Sequence, residues 1–91
     1  MRITHMVNVM IRYWAAAKDA AGLPEESVAA ATLAEVLNVV VASRTPDSRL
    51  RDVLERSSFL IDGTRASRAN AEEITLSEGA VIEVLPPFAG G

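Results

Sequence analysis

The chain has 91 residues, 49% of them hydrophobic and 23% charged, with a formal charge of -3 and no cysteine. That length suits one small domain burying about 60 to 65 per cent of its unfolded surface, and the composition is too apolar for a disordered chain. Without cysteine the chain has no disulfide, thiolate metal site or thioester of its own; its acidic balance argues against a nucleic-acid footprint, and no apolar run approaches the roughly 20 residues of a membrane span.

Residues 1–6 precede any periodic pattern and lack the charged start, apolar stretch and cleavage site of a secretory signal, so a cytoplasmic location is expected. Either Met1 or Met6 serves as a start; 1–6 is set aside as a leader or disordered segment, and the lone His5 receives no function. The domain is expected to span 7–91. From Val7 to Tyr13, Val7, Val9, Ile11 and Tyr13 alternate with Asn8, Met10 and Arg12, which predicts a strand with its Val/Ile face in the core. Ala15 to Ala21 is alanine-rich, with Gly22 placed as a C-terminal cap and Pro24 barring continuation, which predicts a short helix. Glu26 to Ala30 returns as a second strand.

Thr32-Leu33-Ala34-Glu35 is a capping box in which the Thr32 hydroxyl accepts from the N–H of residue 35 while Glu35 reaches back to the N–H of residue 32. Leu33, Val36, Leu37, Val40 and Val41 follow at i, i+3, i+4, i+7 and i+8, an apolar stripe for covering a sheet face. Pro46 is expected to end that helix, and Asp47 to Glu55 to hold another turn or two. Phe59 to Ile61 reads as a strand, Asp62-Gly63 between the short segments of Phe59 to Ala66 as a tight hairpin or turn, Ser77-Glu78-Gly79 as another turn, and Val81 to Leu85 as the final strand. Arginines 44, 49, 51, 56, 65 and 68 are interleaved with acids and lack a nearby aromatic platform, so they are read as a solvated face.

The order strand, small helix, strand, long helix, connector, strand, turn, strand predicts an α+β fold of the β-grasp (ubiquitin-like) type. In it one long helix crosses a mixed sheet whose first and last strands lie near each other in the middle. Beyond Leu85 come Pro86-Pro87-Phe88-Ala89-Gly90-Gly91. Proline cannot donate to a sheet ladder and fixes φ near the polyproline value, so Pro86 and Pro87 stop the strand and start the tail stiff and extended. Glycine lacks a Cβ, so Gly90 and Gly91 admit close approach by another protein's backbone, and a Gly91 carboxylate is a handle that another enzyme can activate. The alternative is a terminus of small residues without function. The sequence shows no phosphate-cradling loop, no metal cluster and no nucleophile–base set, so catalysis and ATP binding are assigned to partners.

This order and the ending Leu85-Pro86-Pro87-Phe88-Ala89-Gly90-Gly91 resemble the MoaD/ThiS family of ubiquitin-like sulfur carriers, on the branch formed by the small subunits of molybdopterin synthase. The resemblance covers Val7 to Gly91. It is carried by Val9-Met10-Ile11-Arg12-Tyr13 running into the alanine-rich helix closed by Gly22, by Asp62-Gly63 after a hydrophobic strand, and by the Pro-Pro-aromatic-Ala-Gly-Gly ending. The helix at Ala15 to Ala21 favours this branch, because the shorter thiamine-type carriers generally lack it. Ala80-Val81 after Gly79 departs from the family, which often has an acidic residue there.

The resemblance implies a shuttle with no active site of its own. An E1-like (MoeB-like) enzyme would adenylate Gly91 with ATP, and a sulfur donor protein would displace AMP to leave a thiocarboxylate. The large (MoaE-like) synthase subunit would then spend that sulfur on the dithiolene of molybdopterin. No cofactor or metal is expected on the chain itself, and neither nucleic acid nor membrane as a partner. Pro86, Pro87, Phe88, Ala89 and Gly90 are the expected partner-binding residues, with Phe88 either anchored in a partner groove or folded back on its own domain. Met10, Trp14, Phe59 and Leu85 are candidates for an apolar docking patch on the exposed sheet face. A carrier for cysteine, thiamine or tRNA-thiolation chemistry, and a modifier forming isopeptide bonds with lysines, remain as alternatives.

Overall fold

A computed structural model describes residues 5–87, and its first strand, β1, runs from Val7 to Tyr13 as the alternation predicts. Val9, Ile11 and Tyr13 are buried, while Asn8, Met10 and Arg12 face the other way. The chain turns through Trp14 and an Ala15 at φ 49° into α1, Ala15–Ala21. Gly22 closes that helix at φ 86°, where a Cβ would be strained, and its N–H donates to the Lys18 carbonyl at 2.9 Å. Strand β2, Glu25–Ala30, pairs antiparallel with β1 from Arg12↔Glu25 to Val7↔Ala30. Its alanines are weak strand formers, and ladder pairing with β1 overrides that preference.

Helix α2, Leu33–Ala42, begins with Thr32 Oγ1 accepting from the Glu35 N–H at 3.2 Å. The reciprocal bond differs from expectation: Glu35 Oε1 accepts from the N–H of Ala31 at 2.7 Å, one residue earlier than a standard capping box. Leu33, Val36, Leu37 and Val40 are buried and Val41 partly so, which is the predicted stripe. Pro46 does not set the helix end. The helix stops at Ala42, where Ser43 Oγ donates to the Val40 carbonyl at 3.0 Å and Arg44 Nη1 to the same carbonyl at 2.7 Å. These donors satisfy the terminal acceptors before the proline is reached.

Helix α3, Leu50–Arg56, falls within the expected stretch except for Arg56, one residue beyond it, and buries Leu50, Val53 and Leu54. Strands β3, Ser58–Ile61, and β4, Thr64–Ala66, form a hairpin in which Ile61 pairs with Thr64. The two-residue turn has φ 50° at Asp62 and 84° at Gly63, the positive pair that a type I′ turn needs. A 3-10 helix over Arg68–Glu73 follows, then β5, Val81–Leu85. The Asp62-Gly63 signal allows for the hairpin that β4 completes, whereas the 3-10 helix is not anticipated from the sequence.

The sheet order is β2-β1-β5-β3-β4, so the last strand is central, parallel to β1 and antiparallel to β3. This is the β-grasp arrangement. Ile11, Tyr13, Phe59, Ile82 and Val84 from the sheet meet Leu33, Val36, Val40, Leu50, Val53 and Leu54 from the helices in one apolar core. The helices cover one face of the sheet and leave the other open.

Candidate functional site

The tail root is fixed on both sides. Tyr13 of β1 pairs with Val84, and Ser58 of β3 pairs with Leu85, so the last residues of β5 are held by two neighbours up to the point where Pro86 begins. Trp14 adds a further tether through its backbone N–H, which donates to the Val84 carbonyl at 3.2 Å. Pro86 is half-buried and Pro87 exposed. Having no N–H, the prolines cannot extend the ladder, and the chain leaves the sheet there. The remaining expected site residues, Phe88, Ala89, Gly90 and Gly91, lie outside the described residues, as does the start of the 1–6 segment.

Residues of alternate parity line the open face. Met10 and Leu85 are half-buried and Trp14 is 46% exposed, all on this face as the sequence predicts. Phe59 is not. It is 1% exposed and pairs with the buried Val84, so its parity in the sheet points it into the core, with Ser58 and Leu60 facing outward. Leu60 and Val81 take the outward apolar positions that sequence reasoning missed. Period two puts Leu60 outward once Phe59 points inward, and that inward placement comes from pairing with Val84 rather than from the sequence.

A charged row crosses this apolar surface. Register places Glu25, Arg12, Glu83, Leu60 and Arg65 side by side across all five strands. Arg12 Nε pairs with Glu25 Oε1 at 3.2 Å, and the Trp14 indole N–H donates to Glu83 Oε1 at 3.1 Å. The open face therefore presents Trp14, Leu60 and Leu85 close to the tail root, with Met10 and Val81 beyond the charged row. An apolar centre crossed by charge can bind a protein surface and fix its orientation.

Arg44 corrects another expectation, since it does not belong to a solvated face. Its Nη2 pairs with Glu26 Oε2 at 2.7 Å, its Nε and Nη2 donate to the Ala21 carbonyl, and its guanidinium lies 5.8 Å from the centre of the Tyr13 ring. Tyr13 in turn donates its O–H to Glu26 Oε2 at 2.6 Å. Burial, the bond to Glu26 and the Glu26 charge push the phenol far above its usual range, against the opposing influence of Arg44. This network ties β1, β2 and the ends of α1 and α2 together on the covered side. Among the described residues, no three His, Cys, Asp or Glu side chains converge as a metal site would require, and no helix is long and apolar enough to cross a membrane.

The likenesses to known proteins agree with this architecture. No curated protein matches the chain significantly. Among solved structures it is similar to small archaeal modifier protein 1 from Methanosarcina acetivorans, with 25% identity, a TM-score of 0.78 and coverage of 96% of this chain and 99% of that one. It shares the fold of a putative molybdopterin converting factor subunit 1 from Pyrococcus furiosus, at 20% identity and TM-score 0.68 over 90% of this chain and 99% of that one. It also shares the fold found in the complex of subunits 1 and 2 of molybdopterin-converting factor from Helicobacter pylori, at 21% identity and TM-score 0.66 over 93% and 100%. The ThiS family model matches residues 11–91, nearly the whole fold and the Gly-Gly end together, and the chain belongs to this family of MoaD/ThiS ubiquitin-like proteins.

Proposed function

We propose that this protein carries sulfur as a thiocarboxylate on Gly91 and delivers it to the large subunit of a molybdopterin synthase. The observation that carries the reading is the tail root. A central strand, held on both edges, ends in Pro86-Pro87, and the family match continues through Gly91. Six residues beyond Leu85, at about 3.3 Å each, reach about 20 Å when extended, long enough to enter a partner's pocket while the body stays docked outside. A carboxylate is a poor acyl donor. Adenylation by an E1-like enzyme using ATP gives it a leaving group, and attack by hydrosulfide released from a sulfur donor forms the C–S bond, expels AMP with the electron pair and leaves a nucleophilic thiocarboxylate on Gly91.

The open sheet face gives the body a surface for the large subunit. The likeness to subunit 1 of molybdopterin-converting factor, one example of which is in complex with subunit 2, supports that partner. A second reading, a modifier joined to lysines through the same carbonyl, is favoured by the likeness to a small archaeal modifier protein.

Intact-mass measurement after incubation with an E1-like enzyme, ATP and a sulfur donor tests the carrier chemistry. The full-length chain should exchange one oxygen for sulfur, and a chain lacking Gly91 should not. The loaded chain, the large subunit and a pyranopterin precursor should then yield molybdopterin. Loading without molybdopterin, accompanied by attachment to lysines of other proteins, would assign the chain to the modifier reading.

A further inference from the structure

The two edges of the sheet are built differently, with β2 at one and β4 at the other. An edge strand offers a row of unpaired N–H and C=O groups, and proteins blunt such edges with short strands, lysine, proline or bulges. Strand β4 is blunted: it has three residues and carries Arg65 at its middle. Strand β2 has six residues, Glu25–Ala30, in unbroken register with β1, and it holds no lysine, proline or bulge.

Register decides which groups of β2 face outward. The Tyr13 N–H donates to the Pro24 carbonyl at 2.8 Å, and bonded pairs alternate along an antiparallel ladder. Glu26, Val28 and Ala30 therefore bond to β1, opposite Ile11, Val9 and Val7, while the N–H and C=O groups of Glu25, Ser27 and Ala29 point away from the sheet. The other side of β1 agrees: the Met10 N–H donates to the Ala80 carbonyl at 2.9 Å and the Asn8 carbonyl accepts from the Gly79 N–H at 2.8 Å. All three outward residues are exposed, and among the described residues no backbone hydrogen bond from outside the ladder reaches them. The carboxylates of the strand are neutralised within the chain, Glu25 by Arg12 at 3.2 Å and Glu26 by Arg44 at 2.7 Å. Past Ala30 the edge closes, because the Ala31 carbonyl accepts from the Leu76 N–H at 2.9 Å.

We propose that a second copy of this chain adds at this edge, β2 against β2, antiparallel and centred on Ser27, so that two sheets become one. The register follows from what each alternative sets face to face. Moving the centre toward Glu25 places Glu25 or Glu26 opposite its own copy, a destabilising like-charge pair. Moving it toward Ala29 pairs an outward residue with Ala31, whose carbonyl is already taken. Centring on Ser27 sets Ser27 against Ser27 and Glu25 against Ala29, so every outward residue exchanges its hydrogen bonds and no carboxylate faces another. The paired segment, five residues at a rise of about 3.4 Å, is about 17 Å long. It buries less than the about 800 Å² per partner of a standard interface, so the association is weak and reversible. Strand β1 separates this joint from β5, which leaves the tail root open on both copies.

Sedimentation of the full chain from micromolar to millimolar concentration should show the mass rising from monomer to dimer, and amide exchange at Glu25, Ser27 and Ala29 should slow over the same range. Ser27→Lys sets two ammonium groups opposite each other and should hold the chain monomeric, as should Ser27→Glu with two carboxylates. An equal mixture of the two variants should recover the dimer, an outcome that a folding defect in either would not give. A chain that stays monomeric at millimolar concentration overturns the proposal, as does a mixture that fails to associate. A dimer that survives Ser27→Lys unchanged also overturns it, because that dimer lies on another face. Slowed exchange at these amides that appears only when the synthase large subunit is added overturns it too, and gives the edge to that partner.

Discussion

Tyr13 is the only tyrosine, so its ionisation can be followed without interference. Its phenol is buried and donates to Glu26, while Arg44 compensates the Glu26 charge beneath it. The folded state holds the phenolic proton more tightly than the unfolded chain, whose tyrosine ionises near pH 10. Stability is therefore unaffected by this group below about pH 10 and falls above it, by up to about 1.4 kcal/mol per pH unit, as the unfolded state loses the proton first. Tyr13→Phe should cost about 1 to 2 kcal/mol at neutral pH for the lost hydrogen bond and should abolish the alkaline slope assigned to this group. Denaturant melts at several pH values, alongside the tyrosinate absorbance, check both; a wild-type phenol that ionises near pH 10 while the protein is folded would contradict this account. The network was invisible in the sequence, where Arg44 looks like its neighbours. The contacts that set it apart come from Ala21, Glu26 and Tyr13, distant in the chain and close only after folding.

Periodicity made some elements plain and left others unreadable. The seven residues of β1 and the ten of α2 carry enough repeats to fix both their type and their buried face. The three residues of β4 cannot display a period, and their strand conformation is imposed by the type I′ turn and by pairing with β3. The 3-10 stretch Arg68–Glu73 buries only Ala71, which no pattern of apolar spacing would reveal. Helix α2 gives the sharpest test of packing. Leu37 is 8% exposed whereas Val39, two residues on, is 44% exposed. Leu37→Ala should cost about 2 to 5 kcal/mol by leaving a void under the helix. Val39→Ala should stay within about 0.5 kcal/mol of the parent, since little is buried and alanine is the better helix former. Equal losses in urea melts would mean that the stripe is not what holds the helix to the sheet.

At the scale of the whole molecule, the β-grasp topology places three things at one end of the central strand: the tail root, the Trp14 anchor and the outward leucines at 60 and 85. The sequence suggested the first and last strands as neighbours. It could not assign Phe59 and Leu60 to their faces, because a short apolar run with no polar alternation reads the same in either parity. That distinction now matters for function. Under the proposed carrier role the tail alone is too slight to hold the large subunit, since standard interfaces bury about 800 Å² on each partner, so the open face must contribute. Leu60→Asp places a charge at an outward position and should weaken the complex by about 1 to 3 kcal/mol with little change in melting temperature, as should Phe88→Ala if that ring anchors the tail. Phe59→Ala should instead unfold the protein by about 3 to 5 kcal/mol, because its ring fills the core. Calorimetric titration of each variant against the large subunit, paired with thermal melts, separates the two kinds of loss. Undiminished binding by Leu60→Asp would leave the charged row and the apolar positions beside it without a role in docking, and would move the interface to another face of the domain.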